Sequence, residues 1–178
     1  MRRDAQDNVA KLTAAALAVF AERGLSAPLG EIARRAGVSP GTLYHRFGSR
    51  EALIDAVLPM LLSERLAAAE RSAAEIDDPG ERFRFYVGEL LSLQAGCPAL
   101  NDVLTRRYSS SGGATALCQQ ALCVAERLIA DGKRSGALRP DLSTSDVVLL
   151  LAAGSSATGP EVGWQRLLDL FFDGVRVR

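Results

Sequence analysis

Residues 29–47 read LGEIARRAGVSPGTLYHRF, and this stretch decides the fold. In its first half Leu29, Ile32, Ala33 and Ala36 recur at helical spacing, and Gly37 follows where a helix end favours a left-handed residue. Val38 then turns inward. Ser39 suits an N-cap and Pro40 the first helical position, whose N–H would lack an intrahelical partner anyway. Leu43 and Phe47, four apart, give the second helix one apolar face. Thr42, Tyr44, His45 and Arg46 supply hydroxyl, phenol, imidazole and guanidinium groups on the other, a mix suited to phosphate oxygens and base edges. Gly41 has no side chain and leaves room for a DNA backbone. The pattern predicts a helix-turn-helix.

The surrounding residues extend the pattern. AVFAERG at 18–24, IARRAGVS at 32–39, GTLY at 41–44 and FGSREAL at 47–53 resemble the TetR family of transcriptional regulators over roughly the first third of the chain. GALRPDL at 136–142, with the apolar helix after it, resembles the SbtR-like branch of that family. Two positions depart from the pattern. Gly30 stands where the family often has a polar, DNA-facing residue, and Arg46 where it often has a histidine. The resemblance implies a recognition helix in the major groove of a double-stranded operator. Thr42 and Tyr44 would lie on phosphates, Arg50 would clamp the backbone, and Ser39, Pro40, Gly41 and His45 would face bases. It also implies an effector cavity in the C-terminal part, for which Tyr86, Gln94, Cys97, Arg106 and Cys118 are the polar or polarisable candidates. The effector is an unidentified small molecule.

The formal net charge is zero, which by itself argues against a nucleic-acid partner. The charge is segregated, however. Residues 1–50 hold eight Lys or Arg against four Asp or Glu, a net of +4 that leaves −4 on residues 51–178. A positive head on a negative body suits a protein that presents one end to DNA. At 178 residues and 48% hydrophobic, the chain can bury a core and sits between one domain and two small ones. Cys97, Cys118 and Cys123 are odd in number and lack CxxC spacing, as buried thiols in a reducing compartment would be. MRRDAQDNVA has no signal-peptide core and the longest apolar run, 147–153, is too short for a bilayer, so the expectation is a cytoplasmic protein with no membrane partner.

No stretch alternates as a strand would, and the whole chain reads as all-α. A first helix should start at a cap on Asp4 and run to Arg23, with Val9, Leu12, Ala16, Val19 and Phe20 as its stripe and Gly24 as its end. Pro28 fits the first turn of the next helix. Ser49 can cap a helix running from Arg50 toward Ala74, interrupted by Pro59. Further helices lie between Asp78 and Gly96, through Leu100 to Leu104, after the SSSGG loop at 109–113, after Ser143 and after Pro160. Ser143 and Asp146 have capping-box spacing. The division is a helix-turn-helix domain over 1–50 and a ligand-binding and dimerisation domain over 51–178, jointed inside or just after the Pro59 helix. That helix is expected to be the sole link between them. Residues 147–153 are apolar on every side and 162–175 nearly so, more than one layer of this chain can cover. The expectation is a homodimer through these two helices, with Ala152, Ala153, Gly154 and Ser155 allowing close approach.

Catalytic chemistry finds little support. The only histidine is His45, within the presumed recognition helix, so no Ser-His or Cys-His arrangement exists elsewhere. There is no GxGxxG, P-loop or metal-spaced cluster, hence no implied cofactor or metal. Cys118 and Cys123, five apart and so about 140° around a helix, do not share a face. The reading is a ligand-responsive transcriptional regulator, most simply a repressor released from a pseudo-palindromic operator. Its alternative is a dimeric small-molecule-binding protein that has lost operator binding.

Overall fold

The computed structural model describes residues 2–104, 112–156 and 163–177. The described elements are α1 (Arg2–Arg23), α2 (Leu29–Ala36), α3 (Pro40–Phe47), α4 (Arg50–Ala74), α5 (Pro79–Gly96), α6 (Pro98–Leu104), α7 (Gly112–Arg134), α8 (Thr144–Ser156) and α9 (Trp164–Val175). No strand occurs among the described residues. One isolated antiparallel bridge pairs Leu138 with Arg176.

Local signals explain most boundaries. Gly37 closes α2 at φ 70, and the amides of Gly37 and Val38 turn back to the Arg34 and Ala33 carbonyls, which satisfies the helix end. Ser39 Oγ accepts the Thr42 amide at 3.2 Å with Pro40 at the first helical position. Ser49 Oγ accepts the Ala52 amide at 3.1 Å at the start of α4. Asp78 Oδ1 caps α5 through the Glu81 amide at 2.8 Å. At α8 the Asp146 carboxylate takes both the amide and the hydroxyl of Ser143, at 2.8 and 2.9 Å. The hydroxyl is therefore spent on the carboxylate, where a full capping box would aim it at the Asp146 amide.

Four expectations change. Helix α1 begins at Arg2, ahead of Asp4, because nothing before Asp4 breaks a helix. Pro28 is the N-cap of α2, with extended backbone and no side-chain cap, and so stands just outside the first turn. Helix α7 takes in Gly112 and Gly113, which the sequence assigned to a loop. Finally, α4 is not the sole link between the two halves of the chain.

The chain divides into two compact units, residues 1–63 with 97–116, and 64–96 with 117–178. It passes between them within α4, between α5 and α6, and within α7. In the first unit α1 packs on α2 and α6, and α2 on α3. Leu12, Ala16, Val19 and Phe20 of α1 are fully buried, together with Leu25, Ile32 and Leu53. The four from α1 are four of the five residues of the predicted stripe; the fifth, Val9, is half-buried.

In the second unit α5 lies against α8 and α9. Phe83 meets Phe172 at 5.5 Å between ring centroids, and Arg84 stacks 5.7 Å from the Phe172 ring while pairing with Asp169. Helix α8 buries Val147, Leu150 and Leu151 in this core and leaves Val148, Leu149, Ala152 and Ala153 exposed. Gly154 serves the chain's own packing, since a Cβ there would stand 2.8 Å from Leu91 Cδ2. Val162 and Pro160 lie outside the described residues.

Candidate nucleic-acid interface

Helix α3 buries Leu43 alone. Pro40, Gly41, Tyr44, His45 and Arg46 are exposed, and Thr42 and Phe47 half-buried. Tyr44 is 53% exposed, so its ring is a surface group and not part of the core. Ser39 and Thr42 share a hydrogen bond between hydroxyls at 2.9 Å, which holds both at the start of the helix. An added Cβ at Gly41 would meet only Ser39 Oγ, at 3.7 Å, so this edge of α3 is open to a close neighbour.

Arg50 has a contact within the chain that the sequence does not announce. Its Nη1 donates to the carbonyls of Leu25 and Ala27, both at 2.8 Å, and so ties the start of α4 to the turn before α2. From α6, Asp102 holds the same turn through the Leu25 amide. Both contacts join residues distant in sequence, and periodicity carries no signal for them.

The positive charge of this unit is partly spent internally. Arg35 makes a two-pronged pair with Glu22 at 2.7 and 2.9 Å, and Arg23 pairs with Glu31 at 2.9 Å, so both arginines stitch α1 to α2. The Arg35 bond holds the Glu22 carboxyl below its ordinary value and raises Arg35 in turn. Glu51 is lowered by its own backbone N–H and by Ser49, as an acid at a helix start should be. Arg34, with its side chain 80% exposed, and the exposed Lys11 and Arg46 remain on the surface.

Each described C-terminal candidate has its own place in the structure. Tyr86 is buried with its hydroxyl donating to the Ala121 carbonyl at 3.1 Å; burial, then Glu70, push its pKa up, with Arg127 opposing. Gln94 Nε2 donates to the Leu151 carbonyl at 2.9 Å. Cys118 is half-buried, and burial raises its thiol. Cys97 is buried and belongs to the first unit. Arg106 lies outside the described residues. The second unit also has two open grooves, of about 470 and 320 Å³, and none of the described candidates lines either. Among the described residues no cluster of His, Cys, Asp and Glu is of metal-holding size, and no helix is long and apolar enough to cross a membrane.

A capped, surface-presented second helix on a three-helix head defines a helix-turn-helix DNA-binding protein. Residues 12–57 match the model of bacterial regulatory proteins of the tetR family, and residues 78–177 match the C-terminal domain of SbtR-like transcriptional regulators. The chain belongs to the TetR family of transcriptional regulators. It is 30% identical over 162 residues to the HTH-type transcriptional regulator UidR of Escherichia coli, covering 85% of this chain and 79% of UidR. It is 34% identical over 95 residues to the transcriptional repressor KstR of Mycobacterium tuberculosis, covering 53% of this chain and 43% of KstR. Among solved structures, the TetR regulator SCO0520 of Streptomyces coelicolor is similar at 33% identity and a TM-score of 0.56, over 93% of this chain and 97% of that one.

Proposed function

We propose that this regulator binds a pseudo-palindromic operator as a cytoplasmic homodimer, represses from it, and releases it when a small molecule occupies the second unit. The observation that carries the reading is the exposed face of α3, with Tyr44 and His45 outward on a helix locked by Ser39. Thr42 and Tyr44 take phosphates, while Ser39, Pro40, Gly41 and His45 face base edges. Arg50 meets the backbone with the nitrogens that its grip on the turn leaves over. The similarity to KstR, itself a repressor, supports repression as the sign of control.

Dimerisation is supported by the outward side of α8 and α9. Val148, Leu149 and Leu170 are exposed large apolar residues, and Ala152 and Ala153 extend the α8 patch. A two-fold copy would cover the patch with itself. The effector acts through its differential affinity for the free and operator-bound forms, typically about 1–3 kcal/mol of coupling. Electrophoretic mobility of the DNA upstream of the regulator's own gene tests the reading. A retarded band that competitor DNA of random sequence does not abolish supports it. No retardation at micromolar protein favours a small-molecule-binding protein without operator binding.

A further inference from the structure

The larger groove, of about 470 Å³, lies in the second unit among the end of α4, the start of α5 and α7. Its volume falls within the range of about 300–1,000 Å³ typical of small-molecule clefts. Its base is apolar, with Ala73, Val124 and Leu128 buried there. Its charged groups are Arg82, Arg127 and Arg134 against Glu70 and Asp131, one positive charge in excess. That excess stands on a part of the chain whose overall charge is negative. The smaller groove, of about 320 Å³, sets Arg65 against Glu89 and has no excess.

Arg82 is the fixed member. Its side chain is only 24% exposed, and its Nε and Nη2 donate to the Ile76 and Asp77 carbonyls at 2.7 and 3.4 Å. Its Nη1 stands 3.9 Å from Asp131 Oδ2. The guanidinium is therefore oriented before any ligand arrives, which lowers the ordering cost of binding. Arg127 pairs with Glu70 and Arg134 with Asp131, and both arginines are mostly exposed. Exposed pairs of this kind contribute little net stability, so an incoming anion can exchange with them. A carboxylate matches the planar guanidinium fork in a way that a hydroxyl does not.

We infer that this groove binds a small amphipathic carboxylate, with its head on Arg82, Arg127 and Arg134 and its apolar body on the Ala73, Val124 and Leu128 base. The inference rests on the reading of the second unit as the effector-binding part, and it names the ligand class.

Titration calorimetry of the full chain with sodium octanoate and with octan-1-ol tests it. Arg127→Gln and Arg134→Gln are the test variants, since both side chains face solvent and their loss leaves the core untouched. Arg65→Gln is the control in the other groove. The expected result is saturable octanoate binding that weakens about tenfold in each test variant, with the alcohol at least about tenfold weaker and Arg65→Gln unchanged. Absence of saturable heat at millimolar octanoate overturns the inference, as does equal affinity for the alcohol. So does an unchanged affinity in either test variant, or a matching loss in Arg65→Gln. Operator retardation by the same preparation without octanoate reads the proposed function separately. A chain that retards its operator but fails the titration removes the ligand class and leaves the regulator.

Discussion

Asp102 Oδ2 accepts a hydrogen bond from the Leu25 amide at 2.7 Å, in a buried position and across 77 residues of sequence. Gly24, at φ 77, precedes it, and a Cβ there would stand 2.5 Å from the same oxygen. Helix α6 thus reaches back to hold the turn between α1 and α2, and the first unit depends on residues far beyond the helix-turn-helix. Asp102→Ala strands a buried N–H and should cost about 1–3 kcal/mol of stability. Asp102→Asn keeps an acceptor and should lose less. Chemical denaturation of the two variants checks the order.

Arg50 grips the same turn from the other side. Two carbonyls lose a charged donor in Arg50→Ala, so stability should again fall, by about 1.5–3 kcal/mol. If Arg50 also meets a phosphate, the substitution weakens all DNA sequences alike and lowers the salt slope of binding by about one unit. Binding isotherms at several salt concentrations separate the roles. An unchanged slope would confine Arg50 to the turn.

Leu149 is 70% exposed on α8, beside the exposed Val148. Leu149→Glu places a charge in the proposed two-fold interface, where a partner copy would desolvate it. Sedimentation should show a dimer for the parent chain and a monomer for the variant, with helix content retained. A parent chain that sediments as a monomer at micromolar concentration contradicts the dimer.

Tyr86 should make stability sensitive to alkaline pH. Its folded pKa is raised above the ordinary 10.0, first by burial. The unfolded phenol ionises near 10.0 while the folded one keeps its proton, so its contribution is intact below that pH and is lost as pH climbs toward the folded value. An absorbance titration should show Tyr86 ionising only as the chain unfolds. Tyr86→Phe should remove that late step.

The local signals in the sequence were the reliable ones. Gly37, the Ser39-Pro40 pair, Ser49 and the α1 stripe each act within a turn or two of chain, and each appears in the structure where its chemistry requires. Contacts between distant residues left no such trace. Nothing near Asp102 announces Leu25, and Arg50 next to a cap reads as a cation awaiting a phosphate until the two carbonyls are seen. Gly154 shows the same limit. A small residue permits close approach to any neighbour, and here the neighbour is Leu91 of the same chain. Gln94 stands out in the sequence only as a polar side chain, and its bond to the Leu151 carbonyl, 57 residues on, is visible only in the structure.

The central claim, that α3 reads a two-fold operator, is tested most directly by selecting bound sequences from random duplex DNA with the parent chain and with His45→Ala. The account predicts enrichment of a pseudo-palindrome whose half-sites are separated by about 34–36 Å or a multiple of it. His45→Ala should relax preference at particular positions within each half-site, at about 1–3 kcal/mol per lost contact. Failure of the parent chain to enrich any sequence over the input would contradict the account.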